Sequence, residues 1–498
     1  MLQETSQNTA SPLEPVSLLE NSINVSLANE RRTNPYVLTR RRKNFDRRNA
    51  LRVAATAVSF IDDNRKTVSG KVRDISDSGV CIEITDDGTV FENNISVGIP
   101  VLNGSKIKGE IRWQKTDEDS GTGLLGISFN RLTSKEKSVS RKAILLNEGL
   151  LVNYANEMAS KTDNSDIKQH IKVFFLIDIK LLIEELINLD QMIKEGRDDT
   201  EIKNRFAETQ KKSLAKAYEL EKAIGDNIGL LKQIKQRTRA ILGHFIYQSK
   251  IYRRALEKPR GYPGDYRIIE TAYNNRELSE GIGKYFDWYC LGLPYTVSIR
   301  LRKDMMRDML YKYLNNNTKG NINILNLASG GCREIRELFN KPINYKGNAN
   351  ILCIDQDEEA IAFADRKLSE IDTGRINVNL IQGNILRMED LDLGKDNSLD
   401  MIYSIGIADY LQDKMLDKMF KDCYKLLKTD GQLIVAYKDR ERNKPLTFNW
   451  YGDWNFIHRN EPEFLDLIYK SMGKDNISIK VVREHTGVIF FAIITKHK

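Results

Sequence analysis

The spacing of apolar and polar positions changes character three times along the 498-residue chain. Residues 1–38 are rich in Ser, Asn, Thr and Glu, and predict a loosely ordered tail. Further on, short β-branched segments alternate with Gly- and Asp-rich turns: "AVSFI", "VSGKVRDIS", "GVCIEI", "IKGEIRWQK" and "GLLGISF". Strands this short predict a small barrel or sandwich ending near residue 132. From about 136 to 258 the period becomes helical. Phe175, Ile179, Leu182, Leu186, Leu189 and Ile193 recur at steps of four and three, which places them on one side of a helix. Several of their neighbours are also apolar, so this helix is expected to be covered on more than one side. After "KPRGYPGDY" a helical stretch runs to about 317, and strands then alternate with helices: "NINILNLA", "ANILCID", "INVNLIQG", "LDMIYSI" and "GQLIVAY". "VREHTGVIFFAIITK" closes the chain with antiparallel-type strands. The pattern predicts a multidomain protein with a small β-barrel at 39–145, a central helical bundle at 146–258 and a doubly wound α/β domain at 259–498. The bundle suits either a link between the two flanking domains or a surface through which two copies form a homodimer.

Composition narrows this only a little. The chain is too long for a single core, and its 41% hydrophobic and 29% charged residues suit a globular protein. The net charge of +8 is modest for the length and does not by itself imply a nucleic-acid partner. The five cysteines are scattered without metal-site spacing, so neither a metal site nor a disulfide is expected. No signal peptide is visible at the start. The most apolar run, "VFFLIDIKLLI", is short and holds Asp178 and Lys180, so no membrane span is expected and the cytoplasm is the expected compartment.

Two sets of residues carry candidate chemistry. In the basic run "TRRRKNFDRRNALR" (39–52), Arg48 and Arg52 stand four apart behind Arg47, and "DISDSG" places Asp74, Ser76 and Gly79 after a strand. Arginine forks pair with phosphate and stack on purines. Asp74 and Ser76 can bond base edges or steady a turn, and Gly79 allows a backbone conformation closed to larger residues. A solvated basic face with an ordinary turn fits the same residues. The segment from 40 to about 145 resembles the PilZ domain family of cyclic di-GMP receptors, with Arg48 and Arg52 matching its RxxxR motif. Asp74, Ser76 and Gly79 match its (D/N)xSxxG motif, and "GEIRWQK" and "GTGLLGISF" match its closing strands. The resemblance implies that Arg47, Arg48, Arg52, Asp74, Ser76 and Gly79 bind cyclic di-GMP.

In the α/β region, "ILCIDQDEEAIAFA" puts Asp355 at a strand end, where an acid can bond ribose hydroxyls, with Asp357 in a helix-start sequence. "LASGGCRE" offers only Gly330 and Gly331, too few glycines for a pyrophosphate fingerprint. The region from about 318 to 496 resembles class I S-adenosylmethionine-dependent methyltransferases, whose acid-x-Gly-x-Gly-x-Gly motif falls on Asn326, Ala328, Gly330 and Cys332. The resemblance implies a Rossmann-like fold with S-adenosyl-L-methionine as cofactor. It assigns the donor's amino group to Glu334, its ribose to Asp355, and its adenine to Asn384 and Ile385. By the same resemblance the loop "YSIGIADYL", with Asp409 and Tyr410, is expected where donor and acceptor meet, with Asp409 and Gly330 among the residues that bind the donor. "RGYPGDYR" (260–267) is a concentrated set of polar groups upstream of the fold, although Pro263-Gly264 also suits a type II turn. Together with the altered glycine turn, it resembles bacterial proteins that make a 3-hydroxy fatty acid methyl ester signal. Tyr262, Asp265, Tyr266, Asp409, Tyr410 and His458 are candidates around the acceptor, and catalytic roles are expected for Asp265, Tyr266 and Tyr410. "NWYGDWNFIHR" (449–459) is expected to cover the cleft or pack on its rim. The expectation is a cyclic di-GMP-responsive methyltransferase acting on a small-molecule or fatty-acid carboxylate. The alternative is a cyclic di-GMP receptor or scaffold with an inactive methyltransferase fold. A nucleic-acid substrate is disfavoured, because the basic cluster sits beside the PilZ-like residues and no nucleic-acid module is visible.

Overall fold

A computed structural model of the chain describes residues 58–62, 67–75, 79–84, 94–98, 106–116, 123–129, 148–318, 320–442 and 444–497. The described residues fall into two compact units. One holds everything up to Arg253 together with Ser279–Phe286, and the other holds Arg254–Leu278 and everything from Asp287 onward.

The first unit contains six antiparallel strands: β1 (Val58–Asp62), β2 (Thr67–Ile75), β3 (Gly79–Ile84), β4 (Asn94–Gly98), β5 (Lys106–Thr116) and β6 (Gly123–Phe129). They close into a barrel in the order β1-β2-β3-β6-β5-β4, completed by pairing of β1 with β4. Five of these strands match the apolar segments of the sequence. β4, in which Ile95 is buried, is too short to stand out by pattern.

Five helices follow: α1 (Glu148–Ala159), α2 (Ser165–Val173), α3 (Ile179–Lys194), α4 (Asp199–Ile224) and α5 (Ile228–Ile246), with a π-helical turn at Phe174–Asp178 between α2 and α3. Phe175, Ile179, Leu182, Leu186 and Leu189 are all buried, as their spacing requires, whereas at the sixth position Met192 is buried and Ile193 is only half-buried. The expected cover on further sides is incomplete, because Ile177 and Leu181 on the opposite face stand exposed. Among the described residues no helix is long and apolar enough to cross a membrane.

The unit boundary runs through α6 (Lys250–Glu257) and α8 (Ile282–Gly292). The second unit adds α7 (Tyr266–Asn274) and α9 (Pro294–Asn315), then the alternation β7 (Asn321–Leu327), α10 (Arg333–Leu338), β8 (Asn348–Asp355), α11 (Glu358–Leu368), β9 (Ile376–Gln382) and β10 (Leu399–Ser404). It finishes with α12 (Asp413–Leu426), β11 (Leu427–Lys438), α13 (Leu446–Gly452), α14 (Glu461–Met472), β12 (Ile477–Arg483) and β13 (Ile489–Lys496). The seven strands form one sheet in the order β12-β13-β11-β10-β7-β8-β9, parallel except at β13, which runs antiparallel to both β11 and β12. Every residue of β10 is buried, as expected for a central parallel strand covered on both faces. Between β9 and β10 the expected helix is only a 3-10 turn, Ile385–Asp390, interrupted by the non-helical backbone of Arg387. Strand order reverses between β7 and β10, the place where open α/β sheets form a ligand-binding crevice at the C-terminal ends of their strands.

Candidate functional site

The turn leaving β7 forms one wall of that crevice. Ala328, Gly330 and Cys332 have φ of 55°, 54° and 51°, the left-handed conformation, at alternate positions along the turn. Only glycine adopts this backbone freely, and an L side chain there costs roughly 1–2 kcal/mol. Ala328 and Cys332 therefore hold a glycine-type backbone without being glycine, and such strain gathers at functional sites. Nothing stands within 4 Å of where a Cβ on Gly330 would be, so its backbone faces open space. The Ser329 hydroxyl is buried without a hydrogen-bond partner.

Behind the turn, Glu334 on α10 is buried at 3% exposure. Its Oε1 accepts hydrogen bonds from Asn326 Nδ2 (3.0 Å) and the Tyr403 hydroxyl (2.9 Å). Burial raises its pKa, opposed by these hydrogen bonds and by the charge of Arg302. Asn326 thus has a physical reason to replace an acid: a carboxylate there would face Glu334, whereas its amide donates to it. Asp355 closes the other side, accepting from the N–H groups of Gly330 (2.7 Å) and Asp357 (2.9 Å). Burial raises its pKa as well, against those backbone hydrogen bonds. Asp357 caps α11 through the Glu359 N–H (3.0 Å), while its Oδ2 is buried 3.7 Å from Arg260 Nε, too far for a hydrogen bond. Asn384 caps the 3-10 turn by accepting from the Leu386 N–H (2.9 Å), with Ile385 buried beside it.

The segment 260–270 is built into this wall. Arg260 pairs with Glu359, and Tyr266 packs on Phe363 of α11 with ring centroids 5.4 Å apart. Glu270 binds Arg333 (2.9 Å) and Arg336 (2.9 Å), and its Oε1 lies 2.9 Å from where a Cβ on Gly331 would stand. Asp265, fully buried, caps α7 through the N–H groups of Arg267 and Ile268 and holds the Arg254 guanidinium at 2.7–2.9 Å. Its carboxylate is occupied as a structural anchor. The Tyr266 hydroxyl accepts from Arg267 Nε (3.0 Å). Pro263-Gly264 is not a type II turn, since the positive φ falls on Gly261 (86°). Gly264 is small for another reason: a Cβ there would come within 2.5 Å of Trp454 and 2.8 Å of the Tyr410 hydroxyl.

That contact ties the segment to the loop after β10. Tyr410 accepts from Trp454 Nε1 (2.8 Å), and Trp454, Phe456, Phe448 and Tyr295 pack as one aromatic group beside it. Asp409 is ion-paired with Lys438 (2.7 Å) and also accepts from the Lys438 N–H (3.0 Å). Lys438 Nζ lies 4.8 and 4.7 Å from the ring centroids of Tyr295 and Phe456, and burial lowers its pKa against the pull of Asp409. His458 packs on Phe456 at 6.4 Å, and Tyr262 stands half-buried in the lead-in segment. Lys438 and Arg302 are not among the residues expected from the sequence. A lysine directly ending the apolar strand "LIVAY" was a usable signal, whereas Arg302 is one of several basic residues on α9.

In the barrel, Arg47, Arg48, Arg52 and Ser76 lie outside the described residues. Asp74 falls in β2 next to a register shift, where Val72 faces Ile82 but Asp74 faces Cys81. Gly79 opens β3 without a positive φ. A Cβ there would lie 2.3 Å from the Ile127 carbonyl oxygen, so close approach to β6, and not an unusual conformation, requires glycine.

Two family models match parts of the chain, a PilZ domain at residues 46–145 and a methyltransferase domain at 324–431. A PilZ domain and a methyltransferase-like domain are therefore both present in one chain, and the two matches support a capacity to bind cyclic di-GMP and S-adenosylmethionine. No curated protein matches the chain. Among solved structures it is similar to a possible exported protein from Bordetella parapertussis, at 14% identity and TM-score 0.42, covering 64% of this chain and 97% of that one. It is also similar to magnesium protoporphyrin IX methyltransferase from Synechocystis PCC 6803, at 14% identity and TM-score 0.30, covering 40% and 83%. A third similarity is to a SAM-dependent methyltransferase from Aquifex aeolicus, at 18% identity and TM-score 0.28, covering 38% and 89%.

The residues of the turn fit S-adenosylmethionine. Gly330 leaves open backbone, the Ser329 hydroxyl lacks a partner, and Glu334 and Asp355 are buried acids whose hydrogen bonds come from neutral donors.

Proposed function

We propose that the chain is a cyclic di-GMP-responsive, S-adenosylmethionine-dependent methyltransferase. The observation that carries the catalytic half is the left-handed backbone at residues 328, 330 and 332, maintained even where alanine and cysteine oppose it. In this proposal Asp355 takes the donor's ribose, Glu334 its ammonium group, and Asn384 with Ile385 its adenine. The donor supplies a methyl group activated by sulfonium. The chain's task is to align the acceptor and exclude water. Tyr266 and Tyr410 shape the cleft through Phe363 and Trp454, while Asp265 and Asp409 fix the segments that carry them. The methyl acceptor is a small-molecule or fatty-acid carboxylate, a nucleophile that needs no general base. The alternative, a receptor with an inactive fold, drew on the replaced glycines, and their retained conformation weakens that motive.

The sensory half rests on the PilZ match and on Arg47, Arg48, Arg52, Asp74, Ser76 and Gly79 as the ligand residues. Calorimetric titration of the full chain with cyclic di-GMP is expected to show binding that Arg48→Ala and Arg52→Ala abolish. No binding by the wild type ends the sensory claim. An acceptor screen with labelled donor, including carboxylic acids of graded chain length, tests the catalytic half, and light scattering on the same sample tests self-association.

A further inference from the structure

The crevice holds one buried cation that the assigned roles do not use. Arg302, on α9, is 4% exposed. Its Nε is buried without a hydrogen-bond partner, although its guanidinium bonds the Tyr273 phenol, whose pKa desolvation pushes up to about 12. One terminal nitrogen, Nη2, lies 3.7 Å from where a Cβ on Gly406 would stand, so the guanidinium faces the loop leaving β10. Its charge also acts on Glu334 behind the donor turn and on Lys438. It therefore stands at the switch point, between the donor wall and the loop where acceptors enter.

A buried guanidinium with an unused donor is costly unless an anion meets it. The nearby carboxylates are otherwise engaged. Asp409 is committed to Lys438, and Glu334 receives its hydrogen bonds from Asn326 and Tyr403. The planar fork suits a carboxylate, with Nε and one terminal nitrogen donating in parallel.

We propose that Arg302 is the carboxylate receptor of this crevice. The inference rests on the donor reading of the adjoining turn and adds to it the anion that the site recognises. Two ligands can bring that carboxylate: the amino-acid end of the donor, or a carboxylic-acid acceptor.

The test titrates full-length wild type, Arg302→Gln and Arg302→Lys with S-adenosylmethionine and with its decarboxylated analogue, which lacks only the carboxylate. It then titrates each protein, saturated with S-adenosylhomocysteine, with octanoate. If the donor brings the carboxylate, Arg302→Gln weakens S-adenosylmethionine binding by roughly tenfold to a hundredfold, as expected for a charge-assisted hydrogen bond. Binding of the decarboxylated analogue then changes less than twofold, which also shows that the variant is folded, and Arg302→Lys recovers part of the loss. If the acceptor brings it, both donor titrations are unchanged and octanoate binding is lost in Arg302→Gln alone. Equal affinities of wild type and Arg302→Gln for all three ligands overturn the proposal. If the wild type binds neither donor ligand, the donor reading falls by itself, and octanoate titration of the unliganded protein still decides the role of Arg302.

Discussion

Four of the buried carboxylates near the crevice fall into two pairs. Asp265 and Asp409 each grip a cation and backbone N–H groups: Arg254 with the start of α7, and Lys438 with the end of β11. Glu334 and Asp355 are also buried but take their hydrogen bonds from an amide, a phenol and backbone N–H groups. The first pair is electrically complete and holds the scaffold. The second is held in an environment that raises both pKa values, an arrangement that costs stability and that, in the proposed function, a positive or hydroxyl-bearing ligand offsets. All four acids lie in segments that looked functional by sequence. What separates them is the set of partners each has already acquired.

The contrast is broken most readily at Lys438. Lys438→Met leaves Asp409 buried without its cation and is expected to destabilise the unit by about 3–5 kcal/mol in chemical denaturation, with Asp409→Asn added to the same chain recovering part of it. A loss under about 1 kcal/mol contradicts a structural Asp409. Asp265→Ala removes a helix cap and the partner of Arg254, and is expected to cost about 2–4 kcal/mol. The folded protein should nevertheless keep its S-adenosylhomocysteine affinity within about threefold, since the hydrogen bonds of Asp265 go to Arg254 and the start of α7 and to no residue of the donor turn.

Glu334→Gln should do the reverse. Affinity for S-adenosylhomocysteine is expected to fall about tenfold to a hundredfold, while stability holds or rises by about 1 kcal/mol. The sign with pH follows from the raised folded-state pKa. The native carboxyl retains its proton above the ordinary value of 4.5, so its contribution to stability is complete below that pH and is lost as pH rises through the raised value. Glutamine keeps the neutral form throughout. The stability advantage of Glu334→Gln should therefore widen with rising pH, while wild-type donor affinity should fall as pH drops through the same window. An advantage that narrows as pH rises contradicts the assignment. The smallest effect is expected at Ala328, where glycine relieves the left-handed strain but adds chain entropy, for a net gain of about 0.5 kcal/mol. Ala328→Val should cost more than 1 kcal/mol, because a branched side chain resists that conformation more strongly.

The alternation of strands and helices made the α/β unit legible, and Asp355 stood out because an acid directly follows an apolar strand. The turn was legible only in part. Small residues at 328 and 332 could be read off the chain, but that they adopt the same φ as Gly330 is a property of the backbone. The pairing of Asp409 with Lys438 spans two strand ends and leaves no local pattern, and Arg302 is hidden among the other cations of α9. Glycines misled twice. Gly79 and Gly264 were read as conformational devices, yet each is required because another chain segment comes too near for a Cβ. The helix expected to be covered on more than one side leaves Ile177 and Leu181 exposed, because period alone fixes which positions share a face, not how much of the helix surface the rest of the chain covers.

The most direct test of the account is a calorimetric titration of the intact chain with S-adenosylhomocysteine, run with and without saturating cyclic di-GMP. One donor site per chain is expected, lost or severely weakened in Glu334→Gln, with an affinity that differs between the two conditions because a responsive enzyme requires coupling between its sites. Absence of S-adenosylhomocysteine binding in both conditions contradicts the account. Binding with the same affinity in both, and no difference in turnover, contradicts its regulatory half.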